Sequence, residues 1–422
     1  MKQQFLFLSL LLTSVAGALR AEGLLQPNDF IAVCGDSITE QRRYSVFMED
    51  YFLMCQPAPQ LRTAEFGWGG EIVSSFRDRL KNDVLSFQPT VVTTCYGMND
   101  GHYHVMQPKT GEDYRQATTQ AIKTLKAAGV RVIVVGSPSA VDKAAFAPMV
   151  MAPASADDYN KTLFALRDIA QQVAQTEGVR FADVHTPMME VMQKAKAAYG
   201  DDYKFVAGGG IHPNNNGHLV IAYAFLKALG CEGAIGTITV DMTGGTAQGT
   251  PGQKILSFSD RTVSIESSKY PFCFSGDSEK PEQTEASIVR FFPFNEDLNR
   301  YQLVVKRLRG TKAKITWGSI TKEYSAANLQ NGINLAAEFL NNPFCSQFEK
   351  VNKAVSEQQA AEVGLIKDLI HGVPHLAAIS PGSDADLQAV VNKGKQRERE
   401  LYDAAVALVV PIRHTIKIEE EP

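Results

Sequence analysis

The sequence lacks a strong excess of either charge. Its 422 residues include 42 Lys and Arg and 46 Asp and Glu, which gives a formal net charge of −4. Proteins that bind polyanions through surface charge need a basic excess, so we expect no nucleic-acid partner. A chain of this length exceeds what one compact core normally accommodates, and two or more domains are therefore expected.

Cysteine is also scarce. Six cysteines are too few for a disulfide-rich scaffold, and none has the spacing of metal ligands. They are Cys34, Cys55, Cys95, Cys231, Cys273 and Cys345. Cys34 and Cys95 both lie in apolar, strand-like runs, so they either pair in an oxidising compartment or remain buried thiols. The sequence predicts no metal site.

Long hydrophobic runs are confined to the N-terminus. A positively charged start is followed by an apolar run over residues 5–12 and then by small residues. This layout predicts a secretory signal peptide over residues 1–21, with cleavage after Ala18 or Ala21. The alternative is an uncleaved anchor helix, but the run is short for crossing a bilayer. We expect a secreted or periplasmic protein with no membrane span in the mature chain.

Residues 28–230 alternate short apolar runs with amphipathic stretches. Segments 29–35, 90–97 and 130–138 are β-branched, continuously apolar runs of the kind found in buried strands, and helix-like stretches lie between them. This alternation predicts an α/β domain in which helices cover both faces of a parallel sheet. The domain is expected to end in a helix over residues 218–230.

The rest of the chain has a different character. Residues 232–325 contain short β-branched segments among Gly, Ser, Thr, Asp and Pro, which predict a small antiparallel β module that includes a strand over residues 286–292. Residues 328–416 have helical periodicity and predict a C-terminal helical region. The acidic end, residues 418–422, is expected to be frayed.

Four segments place chemically useful groups at the ends of predicted strands or helices. Ser37 follows the first strand directly, at the edge where open α/β sheets bind ligands. Gly70 lies in the turn FGWGGE and can bring a bare backbone N–H close to a ligand. Asn99 follows the second strong strand, and His212 precedes the last helix. A nucleophile, a backbone donor, an amide and a base in this order form a specific combination.

These segments resemble the SGNH (GDSL-type) hydrolases. The matching blocks are GDSI at Ser37, FGWGGE at Gly70, GMND at Asn99 and GIHPN at His212, within about residues 28–230. The resemblance implies a flavodoxin-like three-layer α/β/α sandwich. It also implies ester hydrolysis, often the removal of acetyl groups from carbohydrates in secreted members, without a metal or organic cofactor.

The resemblance further implies a role for each residue. Ser37 Oγ would attack the ester carbonyl, while His212 would accept its proton and later pass it to the leaving alcohol. The N–H groups of Ser37 and Gly70 and the side-chain amide of Asn99 would stabilise the oxyanion. We therefore expect a secreted serine esterase whose substrate is an acylated glycan, with lipid or other short-chain esters as the alternative.

One position departs from the family pattern. Members usually have an aspartate three residues before the histidine, and this chain has Gly209 there. A backbone carbonyl of the glycine run could hold His212 instead, or a carboxylate from elsewhere, such as Asp201 or Asp202. The third alternative is a weakened or inactive site, which would make the protein a glycan-binding relative of the esterases.

For four other residues near these blocks, a structural role is the simpler interpretation. His218 is expected in the first turn of the final helix, and Asp100 is expected to cap its own turn. Trp68 and Tyr96 could stack on a sugar, although packing within the protein is the commoner role of such aromatic side chains.

Overall fold

The first half of the chain is built around a five-stranded parallel sheet. The computed structural model describes residues 24–146 and 153–421, so the predicted signal peptide lies outside the described residues. The strands are β1 (Phe30–Gly35), β2 (Arg62–Gly67), β3 (Val91–Cys95), β4 (Val132–Gly136) and β5 (Arg180–Ala182). Their order is β2-β1-β3-β4-β5, and every neighbouring pair is parallel. This order is the flavodoxin-like arrangement.

Helices cover both faces of this sheet. They are α1 (Ser37–Glu40), α2 (Tyr44–Asp50), α3 (Val73–Asp83), α4 (Pro108–Ala127), α5 (Ala156–Glu177), α6 (His185–Tyr199), α7 (Gly208–Ile211) and α8 (Asn215–Ala228), with the short strands β6 (Val206–Ala207) and β7 (His212–Pro213) before α8. Alternate residues of β1 enter different hydrophobic clusters, Ile31 and Val33 on one face and Ala32 and Cys34 on the other. The predicted three-layer sandwich is therefore confirmed.

All six cysteines are free thiols. In the parallel register Cys34 lies opposite Thr94, and Cys95 lies opposite Gly35. The two cysteines are thus offset by one residue, so their side chains point to opposite faces of the sheet and belong to different hydrophobic clusters. Cys34 and Cys95 are therefore buried thiols, and they do not pair with each other.

Strand β2 is an edge strand that the sequence pattern did not indicate. Its sequence, RTAEFG, carries two charged residues that interrupt the apolar run. Both residues contact acidic side chains of the C-terminal region. The Glu65 N–H donates to Glu362 Oε2 at 2.8 Å, and Arg62 forms an ion pair with Glu398. These contacts cover the open edge of the sheet.

Two smaller sheets follow the parallel one. Their strands are β8 (Ala234–Asp241), β9 (Thr246–Gly249), β10 (Gln253–Ser259), β11 (Thr262–Ser267), β12 (Arg300–Lys306), β13 (Lys312–Trp317), β14 (Ile320–Ser325), β15 (Ile333–Asn334) and β16 (Ile412–Glu421). One sheet has the order β10-β11-β16-β13-β14 and the other has the order β15-β12-β8-β9. The strand pairs are antiparallel, as predicted for this module, apart from β8 and β12, which run parallel.

The predicted strand over residues 286–292 is wrong. This segment begins as the helix α9 (Glu285–Ile288) and continues as a 3-10 turn, and the helix α10 (Phe294–Leu298) follows it. It packs against α6, where the Tyr199 ring lies 5.7 Å from the Phe291 ring and the Tyr199 hydroxyl donates to the Ser287 carbonyl at 2.8 Å. Contacts with the parallel-sheet domain therefore override the β-propensity of the segment.

The C-terminal region, predicted to be helical over residues 328–416, is mostly helical as far as residue 407, but the short strand β15 interrupts it and β16 begins at residue 412. Its helices are α11 (Ala326–Asn331), α12 (Leu335–Glu338), α13 (Cys345–Gly364), α14 (Val373–Ile379) and α15 (Asp384–Ala407), and a π-helical turn over Leu365–Ile370 extends α13. Among the residues that the structure describes, no helix combines the length and the apolar character needed to cross a membrane.

The expectation of a frayed acidic tail is wrong. Strand β16 lies inside its sheet, between β11 and β13. Ile416 and Ile418 are fully buried, whereas Lys417 between them is exposed. This alternation is the pattern of a strand with one buried face. The acidic residues at the end of the chain obscured that pattern in the sequence.

His414 of β16 belongs to a buried polar network. Trp317 Nε1 donates to His414 Nδ1 at 3.1 Å, so the Nε2–H is left to donate to the hydroxyls of Ser267 (2.9 Å) and Tyr301 (3.1 Å). This serine–histidine contact is therefore structural, because the histidine donates to the serine and has no free nitrogen to accept its proton. Burial lowers the pKa of His414 to about 4.

We expect His414 to make the fold less stable below neutral pH. The unfolded chain binds a proton at this residue near pH 6.5 and the folded chain only near pH 4, so stability falls as the pH drops through this window. Substituting His414→Asn removes the titration. The difference in free energy of unfolding between wild type and variant should therefore shrink by about 2 to 3 kcal/mol from pH 7 to pH 4.5. Urea unfolding across this range measures it, and a constant difference would contradict the neutral, buried histidine.

Candidate active site

Ser37 opens the short helix α1 immediately after β1. Asp36 caps this helix, because its Oδ1 accepts the Ile38 N–H at 2.9 Å, and burial raises the pKa of Asp36 to about 7. Ser37 Oγ lies 2.8 Å from His212 Nε2. This distance suits transfer of the serine proton to the imidazole. The structure thus joins two of the predicted site residues, which are 175 positions apart in the chain.

The loop before His212 is held by a residue that the sequence did not indicate. The Asp142 N–H donates to the Gly210 carbonyl at 3.0 Å, and the Asp142 carboxylate accepts the Phe205 N–H at 3.4 Å. The same carboxylate pairs with Lys196 at 2.9 Å. Strands β6 and β7 then pair with each other and deliver His212 to the edge of the parallel sheet. Asp142 follows the strand β4 at some distance and carries no motif of its own.

In the described part of the chain, no carboxylate takes the place of the aspartate that is absent at Gly209. Within residues 24–146 and 153–421, the hydrogen bonding of the His212 side chain is limited to the contact with Ser37. Asp201 and Asp202 are exposed, and Asp142 binds the backbone of the loop instead of the ring. Among the described residues, therefore, neither a carboxylate nor a backbone carbonyl holds His212 Nδ1.

Gly70 lies in the loop that follows β2, residues 67–71, which we call the Gly70 loop. Its φ of +74° is in the left-handed region, where glycine is favoured, and a Cβ there would meet nothing within 4 Å. Among the described residues no acceptor binds its N–H. The loop is anchored next to Ser37, because the Trp68 N–H donates to the Gly35 carbonyl at 2.9 Å. The predicted backbone donor is thus free to bind a ligand.

Asn99 is oriented by hydrogen bonds on both sides of its amide. The Tyr103 hydroxyl donates to Asn99 Oδ1 at 2.9 Å, and Asn99 Nδ2 donates to the Glu71 carbonyl at 3.0 Å. The second hydrogen of Nδ2 remains available. Asn99 is therefore tied to the Gly70 loop. Tyr103 is a positioning residue that the sequence did not indicate, since a tyrosine after this turn has no recognisable signature.

A buried ion pair supports the Gly70 loop from below. Arg79 Nε and Nη2 donate to the two carboxylate oxygens of Glu71 at 2.6 and 2.7 Å, and Arg79 Nη2 also donates to the Phe66 carbonyl at 2.7 Å. The Tyr96 hydroxyl donates to the same carboxylate at 2.6 Å. Tyr96 is thus part of the core. Arg79 also lies 5.1 Å from the centre of the Trp68 ring, so this aromatic side chain packs within the protein as well.

His218 and Asp100 both have structural roles. His218 lies in the first turn of α8, where its Nδ1 accepts the Tyr44 N–H at 3.3 Å and its Nε2 contacts Gln41 Oε1 at 2.9 Å. Asp100 Oδ1 accepts the Val73 N–H at 2.9 Å, so this carboxylate caps the start of α3. In the part of the chain that the structure describes, no group of three or more His, Cys, Asp or Glu could hold a metal ion.

Residues 33–220 match the model of the GDSL-like lipase/acylhydrolase family. These residues form a domain of that family. This chain is also 23% identical over 224 residues to an acetylxylan esterase from Geobacillus stearothermophilus, covering 50% of this chain and 95% of that protein. These relatives support an esterase or acylhydrolase activity.

A solved structure extends the likeness beyond the GDSL-like domain. A gut microbial diltiazem-metabolizing enzyme aligns with a TM-score of 0.71 at 22% sequence identity, covering 94% of this chain and 98% of that one. The match shows a shared fold that includes the two smaller sheets and the C-terminal helices.

Gly209→Asp is expected to raise the activity of this GDSL-like site. Within residues 24–146 and 153–421, a Cβ at position 209 meets nothing within 4 Å, although the φ of +72° strains any residue with a side chain. Gly209→Asn has the same backbone strain without the charge and is the matched control. We expect kcat on p-nitrophenyl acetate to be at least about ten-fold higher for the Asp variant than for the Asn variant, because a carboxylate fixes the imidazole and stabilises its charged form. Equal kcat values would show that another group already holds His212.

Tyr103→Phe is expected to lower kcat by about ten-fold with little change in KM. Without the hydroxyl, Asn99 Oδ1 loses its donor and Nδ2 is less well aimed, which costs part of the effect of a complete oxyanion donor. The control is Tyr199→Phe, which removes a hydroxyl bound to the Ser287 carbonyl. Steady-state hydrolysis of p-nitrophenyl acetate measures both variants. An unchanged kcat for Tyr103→Phe would rule out this positioning role.

Proposed function

We propose that the protein is a serine esterase that removes O-acetyl groups from carbohydrates outside the cytoplasm. The observation that carries the serine mechanism is the 2.8 Å contact between Ser37 Oγ and His212 Nε2. The acetylated carbohydrate is proposed from the acetylxylan esterase relative, and the location is proposed from the apolar N-terminal segment. Each of these three parts can be tested separately.

The first half of the reaction forms an acyl-enzyme. Ser37 Oγ attacks the ester carbonyl as His212 Nε2 takes the serine proton. The oxyanion that develops is stabilised by the N–H groups of Ser37 and Gly70 and by Asn99 Nδ2, and two hydrogen bonds orient the Asn99 amide before the substrate arrives. Protonated His212 then gives its proton to the ester oxygen of the sugar, which leaves as a hydroxyl when its bond to the former carbonyl carbon breaks.

The second half of the reaction releases acetate. His212 Nε2 now accepts a proton from a water molecule, whose oxygen attacks the acetyl group on Ser37. The same three donors stabilise the second oxyanion. When the intermediate collapses, His212 returns the proton to Ser37 Oγ, and the enzyme is ready for another cycle.

A cavity of about 510 Å³ borders Gly70, and it is the place that we propose for the sugar, although Ser37, Asn99 and His212 are not among its lining residues. Its walls are mostly polar and come from Trp68, Gly69, Gly70, Glu71, Ser75, Asp78, Arg79 and His371. The Asp78 carboxylate and the Ser75 hydroxyl on this wall can bind the hydroxyls of a sugar. The alternative substrates, lipid or other short-chain esters, would be favoured by a more apolar wall than this one.

Labelling with a fluorophosphonate tests the serine mechanism. We expect wild type to be labelled and Ser37→Ala to be unlabelled, because only a serine paired with an accepting histidine reacts readily. Ser267→Ala is the matched control, since it removes the other serine that contacts a histidine, and it should keep the label. Absence of Ser37-dependent labelling would favour the inactive, glycan-binding alternative.

Acetate release from acetylated xylooligosaccharides tests the substrate. Wild type should release acetate, and Ser37→Ala should lose at least about 10³-fold in rate. A series of p-nitrophenyl acetate, butyrate and octanoate provides the comparison. Hydrolysis of the longer esters without release of acetate from the oligosaccharides would replace the carbohydrate substrate with the lipid or short-chain alternative.

A further inference from the structure

We infer that the C-terminal region positions the Gly70 loop for catalysis through Lys367 and His371. This inference rests on the proposed esterase function, because it assigns the two residues to the oxyanion site. Both residues lie outside residues 33–220, the part matched by the family model. They belong to the π-helical turn after α13 and to the residue that follows it.

Trp68 is the residue of the Gly70 loop that the C-terminal region contacts. Lys367 Nζ lies 4.6 Å from the centre of the Trp68 ring, and the imidazole of His371 lies 4.6 Å from it as well. Together with Arg79, these side chains surround the indole with groups from two parts of the chain. A cation near the face of an indole is attracted by the ring electrons, so these contacts restrain Trp68.

Lys367 is fixed by an ion pair that also touches the loop. Its Nζ pairs with Glu40, the last residue of α1, which begins at the proposed nucleophile. A Cβ at Gly69 would lie 2.6 Å from Glu40 Oε2, so the carboxylate of Glu40 is packed against the loop backbone. Lys367 therefore restrains the Gly70 loop both through the indole of Trp68 and through Glu40.

His371 is fixed by the ionic network beneath the same loop. Its Nδ1 lies 2.8 Å from Asp83 Oδ2, and the side chain of Asp83 is completely buried. Asp83 is also 3.6 Å from Arg79 Nη1, and Arg79 binds Glu71 through two hydrogen bonds. Contacts thus run continuously from His371 to Glu71, the residue that follows Gly70.

Gly70 itself has few restraints of its own. No atom would lie within 4 Å of a Cβ at this position, and among the described residues nothing accepts its N–H. The direction of that N–H is therefore set by the residues that flank Gly69 and Gly70, which are Trp68 on one side and Glu71 on the other. Because Lys367 and His371 act on these neighbours, losing them should disturb the oxyanion donor and leave the Ser37–His212 pair intact.

Steady-state kinetics on p-nitrophenyl acetate tests the inference. We expect Lys367→Ala with His371→Ala to lower kcat by about 10- to 100-fold with KM changed less than about three-fold, because a misplaced oxyanion donor affects the transition state most. Lys367→Arg and His371→Gln should retain most of the activity. Lys353→Ala and His375→Ala are the matched controls, because both residues are exposed in the same region.

Hydrogen exchange of the Gly70 loop gives a second readout that needs no activity. The hydrogen-bonded amides of the loop, those of Trp68 and Glu71, should exchange several-fold faster in the double variant than in wild type or in the controls. Unchanged kcat in the double variant would overturn the catalytic role, whatever the exchange shows. If wild type hydrolyses no ester, the proposed function fails by itself, and unchanged exchange would then overturn the positioning of the loop.

Discussion

The register of the three neighbouring strands β2, β1 and β3 determines the geometry of the site. Gly35 at the end of β1 lies opposite Gly67 of β2 on one side and opposite Cys95 of β3 on the other. Parallel strands that end in one row send their loops to the same edge of the sheet. Ser37, Gly70 and Asn99 each follow that row within four residues, so backbone pairing alone brings them near one another. His212 then joins them from the loop before α8.

The C-terminal region is part of this arrangement, because it completes the edge on which the site depends. Strand β2 carries charged residues that an open sheet edge would leave in contact with water, and α13 and α15 cover them with Glu362 and Glu398. Burial raises the pKa of Glu65 to about 8, so this carboxyl group holds its proton more readily than an exposed one. The same region contacts the Gly70 loop. The C-terminal region therefore packs against both the edge of the sheet and the candidate site.

The sequence predicted the elements whose patterns are local. The strands β1, β3 and β4 are continuously apolar and were recognised, whereas β2 was not, because Arg62 and Glu65 interrupt its pattern. Strand β16 was hidden by its acidic residues, and residues 286–292 became helical because they pack on α6. Ser37, Asn99 and His212 are found at the ends of expected elements, whereas Gly70 follows the unexpected strand β2. The catalytic roles of all four residues stay a prediction.

The sequence by itself determined the α/β class, the family of residues 33–220 and the four groups that could carry out acyl transfer. These follow from motifs and periodicities that lie within a few neighbouring residues. Only the tertiary structure decided what supports those groups: Asp142 behind the loop of His212, Tyr103 beside Asn99, and Lys367 and His371 around Trp68. The physical reason is that most of these contacts join segments far apart in the chain. A side chain that acts through such a contact leaves no periodic or local pattern in the sequence.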